Sequence, residues 1–89
     1  MEKQISPQSQ VISVDISYYP LNAAYKPPIK DFIKRIKAYE NLNVCTNTMS
    51  TQVFGEYKEV MSALTYEIGK SFDMPHSIFV LKIINADLR

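Results

Sequence analysis

Eight consecutive residues near the end of the chain, Ser-Ile-Phe-Val-Leu-Lys-Ile-Ile from Ser77 to Ile84, are apolar almost without interruption. A run of this length, rich in β-branched residues, reads as a strand. A strand with one face on a core and one in water alternates apolar and polar positions, whereas this one is apolar on both sides except at Lys82. Both faces of its sheet therefore need cover. The chain has 89 residues, enough for one core of two layers but not for a third layer. A domain of this size buries only about 60–65% of the surface its unfolded chain exposes, so burying the second sheet face against another copy would add stability.

The other elements follow from periodicity. From Val11 to Tyr19, Ile12, Val14, Ile16 and Tyr18 fall on one face and Ser13, Asp15, Ser17 and Tyr19 on the other, a strand that Pro20 ends. Pro27-Pro28 suits the first turn of a helix, and Ile29, Phe32, Ile33 and Ile36 supply its buried stripe before it ends near Tyr39 to Asn41. Two short strands are predicted at Val44–Thr48 and Thr51–Phe54, joined around Met49-Ser50. A second helix runs from about Tyr57 to Phe72, with Val60, Met61, Leu64 and Ile68 on its apolar side. The order βαββαβ with helical crossovers gives a ferredoxin-like α+β sandwich over residues 11–89, two helices on one face of a four-stranded antiparallel sheet. Residues 1–10, polar and Gln-rich, read as a flexible tail.

Composition narrows the function. The net charge is +1, and Lys30, Lys34, Arg35 and Lys37 share their helix with Asp31 and Glu40, a solvated face rather than a track for phosphates; nucleic acid is not an expected partner. With one Cys and one His there is no intramolecular disulfide and no expected metal or other cofactor. Cys45 reads as a small buried apolar group and His76 as a surface or capping residue. No apolar run has the length of a membrane helix or the form of a leader, so the expected location is the cytoplasm, away from membranes.

Polar residues on the sheet are the features left to explain. Asp15 lies in mid-strand beside Ser17 and Tyr19. The first and last strands are neighbours in this topology, so Asp15 either pairs with Lys82 across the strands or accepts a hydrogen bond from a ligand's amino group or faces a cationic ring. Thr46, Thr48 and Thr51, with Asn47 and Ser50 between them, are either packing residues or the rim of a small polar site, with Tyr18 and Tyr19 offering flat rings.

Three segments carry a family resemblance: Val14 to Leu21 with its Tyr19-Pro20 pair, Val44 to Met61 with Met49-Ser50-Thr51 and Gly55-Glu56, and the closing Lys82-Ile83 and Asp87-Leu88-Arg89. Together they resemble the YkoF-like and related thiamine-binding superfamily, as a single-domain member. The resemblance implies a ferredoxin-like domain that forms a homodimer or homotetramer through its sheet face. It also implies binding of thiamine or a hydroxymethylpyrimidine-type precursor without catalysis, in vitamin uptake or salvage. The resemblance places its acidic residue at Asp15, its Ser-x-Tyr-Pro row at Ser17, Tyr19 and Pro20, and its hydroxyl segment at Thr46, Ser50 and Thr51. With Thr48 from the polar row above, the expected ligand-binding positions are Asp15, Ser17, Tyr19, Thr46, Thr48, Ser50 and Thr51. Two-repeat members hold two copies of the domain, so a site between repeats would here form between subunits.

The alternatives are a structural or regulatory oligomer with no small-molecule site and an enzyme of pyrimidine salvage. The second would need a general base, for which Asp15, Glu56 and His76 are the candidates.

Overall fold

A computed structural model describes residues 10–89; the tail expected over residues 1–10 lies, except for Gln10, outside the described residues. The elements are β1 (Val11–Pro20), α1 (Lys26–Lys37), β2 (Asn43–Thr46), β3 (Thr51–Glu56), α2 (Tyr57–Ser71) and β4 (Ser77–Ile84). The four strands form one antiparallel sheet in the order β2-β3-β1-β4, and the fold is the ferredoxin-like α+β sandwich. Among the described residues no helix is long and apolar enough to cross a membrane.

Alternation in β1 sets which side of the sheet is covered. Ile12, Val14 and Ile16 are buried beneath the helices with Phe32 and Ile36 of α1, Val60 and Leu64 of α2, and Val53 of β3. Tyr18 continues that row: its ring stacks on Phe79 at 4.1 Å between centroids, and its hydroxyl lies 3.1 Å from Ser77 Oγ. The prolines at the start of α1 take its first positions, where an N–H would have no helical acceptor.

The step from β3 to α2 has no loop. Glu56 ends the strand with extended backbone, and Tyr57 begins the helix, its N–H donating to the Gln10 carbonyl at 2.8 Å. Just before the step, Gly55 faces the helices so closely that a Cβ would stand 2.9 Å from Leu42 Cδ2 and 3.2 Å from Val60 Cγ2. A side chain there would push the packed core apart.

Three sequence expectations are corrected. Cys45 is exposed: it opposes Gln52 on the uncovered side of β2, an edge strand, so no helix lies over it. Strand β2 stops at Thr46 rather than Thr48, because Asn47 Oδ1 accepts from the N–H groups of Met49 (2.8 Å) and Ser50 (3.0 Å) and turns the chain. Arg35 does not belong to a solvated face. It donates through Nε to Asp31 Oδ2 at 2.9 Å, through Nη1 to Glu67 Oε1 at 2.5 Å and the Glu67 carbonyl at 3.0 Å, and through Nη2 to Ser71 Oγ at 2.8 Å. Tyr39 adds its hydroxyl to Glu67 Oε2 at 2.7 Å, so the two helices are joined by a polar cluster in which Glu67 is buried.

Candidate functional site

Strand pairing decides which predicted site residues meet. Asp15 of β1 opposes Gln52 of β3 on one side and Lys82 of β4 on the other, all three on the face away from the helices. The turn at Asn47 brings Ser50 onto the same face, two residues before Gln52. Asp15 Oδ1 accepts from Ser50 Oγ at 2.7 Å and from Gln52 Nε2 at 2.7 Å, and Gln52 Nε2 also lies 2.8 Å from Ser50 Oγ. Both bonds to the carboxylate end on Oδ1; Oδ2 accepts none among the described residues. The bond from Ser50, then that from Gln52, hold the Asp15 carboxyl below its ordinary pKa, with a smaller contribution from the positive charge of Lys82 and some opposition from burial.

Asp15 and Lys82 are therefore in register without closing into an ion pair. The ion pairs among the described residues are Arg35 with Asp31 and with Glu67, and Arg89 with Asp87.

The threonine rim does not assemble as expected. Thr51 opposes Ile16 and Thr46, which puts Thr46 and Thr51 on the helical side of the sheet, where Thr51 is only 5% exposed and the two hydroxyls lie 3.3 Å apart. Thr48 is exposed in the Asn47 turn. Ser17 and Tyr19 do share the open face with Asp15, but they face Val80 and Ile78, toward the other end of β1. Tyr19 lies four residues from Asp15, roughly 13 Å along the strand. Tyr18, packed on Phe79, is not available for stacking on the open face. Of the seven predicted positions, Asp15 and Ser50 make direct contact across the open face.

Around Asp15 the open face holds a cavity of about 420 Å³. Asp15, Gln52 and Lys82 form its polar part, and Phe54, Ile84 and Leu88 its apolar part. The arrangement offers a charged acceptor with a free oxygen beside apolar surface, suited to a flat ligand bearing an amino group or a cation. Gln52 and Phe54 escaped the sequence analysis although their signal was present: in β3 they alternate with Thr51 and Val53 and so take the opposite face. Leu88 gave no such signal, because it lies after the last periodic segment.

No protein-family model and no functionally curated protein matches the chain. Solved structures with similar folds do. A hypothetical protein from Methanocaldococcus jannascii is 25% identical, with 90% of this chain and 84% of that one covered and a TM-score of 0.75. A protein from Thermotoga maritima assigned provisionally to thiamine biosynthesis or salvage is 18% identical, with 89% and 84% covered and a TM-score of 0.76. A Streptococcus pneumoniae protein superposes with a TM-score of 0.80 at 17% identity, over 88% of this chain and 89% of that one. These likenesses define a class of small ferredoxin-like domains, and at such identities they speak for the fold.

Proposed function

We propose that this chain binds thiamine or a hydroxymethylpyrimidine-type precursor in the Asp15 cavity without reacting with it, as part of vitamin uptake or salvage in the cytoplasm. The observation that carries this is the Asp15 carboxylate: it is fixed through one oxygen by Ser50 and Gln52, its second oxygen accepts no bond among the described residues, and it lines the same cavity as Phe54 and Ile84. An aminopyrimidine would lay its ring on that wall and give its amine to the carboxylate, a charge-assisted bond worth about 1.5–3 kcal/mol. A carboxyl held below its ordinary pKa stays charged at neutral pH, which suits holding a cation and makes it a weak general base. The family resemblance of the sequence and the provisional assignment of the Thermotoga maritima neighbour support the same ligand class.

The site is proposed to lie at or near an interface in a homodimer or homotetramer joined through the open sheet face. Tyr19, Ile78, Val80 and Ile84 are each about half exposed there, the apolar surface that a second copy would cover. The same observation supports a second reading, a structural or regulatory oligomer with no ligand. Titration calorimetry with thiamine and with hydroxymethylpyrimidine, on protein sized by analytical ultracentrifugation, separates the two. Heat saturating at one ligand per site is the expected result. A folded oligomer giving no heat at millimolar ligand leaves the second reading, and a monomer at high micromolar concentration overturns the interface.

A further inference from the structure

After Ile84 the chain leaves the edge of β4 and crosses back over the open face at Ser13. The Ser13 hydroxyl donates to the Ala86 carbonyl at 2.7 Å and accepts from the Leu88 N–H at 2.9 Å. Ser13 points away from the helices, yet it is only 6% exposed, and its neighbour across the strands, Phe54, only 8%. Farther along the same face Val80 and Ile78 are about half exposed. The segment has a local shape of its own: Arg89 donates from its N–H and Nε to Asp87 Oδ1 at 3.1 and 3.0 Å. Leu88 forms part of the cavity wall although the residue is largely exposed, at 62%. It is thus held in place by the Ser13 hydroxyl and not by burial. A segment tied by two hydrogen bonds to one side chain opens far more readily than the sheet beneath it.

We propose that residues 85–89 form a strap, latched on Ser13, that walls the apolar end of the Asp15 cavity and swings away to admit and release the ligand. The latch stands on the contacts just described, and the gating rests on the binding reading above. Ser13 thereby becomes a positioning residue for the site and Leu88 a residue that sets its size.

Ser13→Ala removes both bonds while keeping a small side chain at a buried position. Hydrogen exchange followed by NMR is expected to show the Leu88 amide exchanging about tenfold faster in the variant, with the Val14 and Val53 amides unchanged as a control on the fold. Unchanged exchange at Leu88 overturns the latch. In stopped-flow displacement, thiamine is expected to leave Ser13→Ala and Leu88→Ala several-fold faster than it leaves the unaltered protein. Equal dissociation rates overturn the gating. Should the unaltered protein bind no thiamine in calorimetry, the binding reading fails, and an apolar dye then decides the strap. Anilinonaphthalene sulfonate fluorescence rising several-fold in Ser13→Ala supports a strap that uncovers Phe54, and equal fluorescence overturns it.

Discussion

Two polar clusters lie on opposite sides of the sheet, and they differ in how completely their groups are paired. Between the helices, Glu67 uses both carboxylate oxygens, one toward Arg35 and one toward Tyr39, while Arg35 reaches Asp31, Glu67 and Ser71. On the open face, Asp15 lines a cavity and uses one oxygen, while the other accepts no bond among the described residues. A saturated cluster has nothing to offer a ligand and serves to fix the angle between two helices. A half-used carboxylate, held by its neighbours, keeps an acceptor position that the described residues do not fill, and the binding proposed above uses that position. Charge alone does not distinguish the two; the number of unfilled acceptor positions does.

The largest expected effect comes from breaking the saturated cluster. Glu67→Ala leaves the Arg35 guanidinium, itself largely buried, without its main partner, and should cost about 2–4 kcal/mol in urea unfolding. An effect below about 1 kcal/mol would mean that the helices do not depend on it. The open cluster should respond in the opposite manner. Asp15→Asn keeps the shape and changes stability by less than about 1 kcal/mol, but weakens thiamine binding about 10- to 100-fold in calorimetry.

The clusters should also titrate from opposite ends of the pH scale. The folded pKa of Asp15 lies below its unfolded value, so its stabilisation is complete above about pH 4 and is lost as the pH falls through the folded pKa. The folded pKa of Tyr39 is raised, chiefly by its bond to Glu67 and then by burial. Its stabilisation is complete below about pH 10 and is lost as the pH rises through the folded value. Melting temperatures across pH should therefore show the acid limb flattened in Asp15→Asn and the alkaline limb flattened in Tyr39→Phe; reversed assignments would contradict the two clusters as described. The smallest effect is expected at Thr51→Val, which lies on the helical side: thiamine affinity unchanged within about twofold, and stability altered by at most about 1 kcal/mol. A large loss of affinity there would return the threonines to the site.

Most of the architecture was legible in the sequence because the chain changes period cleanly. The run from Ser77 to Ile84 matches β4 residue for residue, and the alternation in β1 assigned both of its faces correctly. The site was legible only in part. Asp15 stood out as a carboxylate in mid-strand, but its partners lie on another strand, and pairing depends on register. Thr46, Ser50 and Thr51 are close in sequence, which suggests one rim, whereas the pleat sends Ser50 and Gln52 one way and Thr51 the other. The helix cluster leaves a sign in the sequence: Glu67 falls three residues after Leu64, on the stripe expected to be apolar, as Arg35 falls three after Phe32. Nothing periodic marks the strap, since two bonds to one hydroxyl hold it there.

The loopless joint between β3 and α2 has a consequence for how the gene can vary. Each residue added to a helix rotates everything after it by about 100°. With Glu56 ending the strand and Tyr57 opening the helix, no slack segment absorbs an added or deleted residue. One inserted codon between them would turn Glu67 away from Arg35 or pull Gln52 out of line with Asp15. Substitutions are tolerable at this joint wherever shape allows, but a change of length is not. Insertions and deletions among the descendants of this sequence should collect in the Leu21–Tyr25 and Asp73–His76 connections and spare the joint.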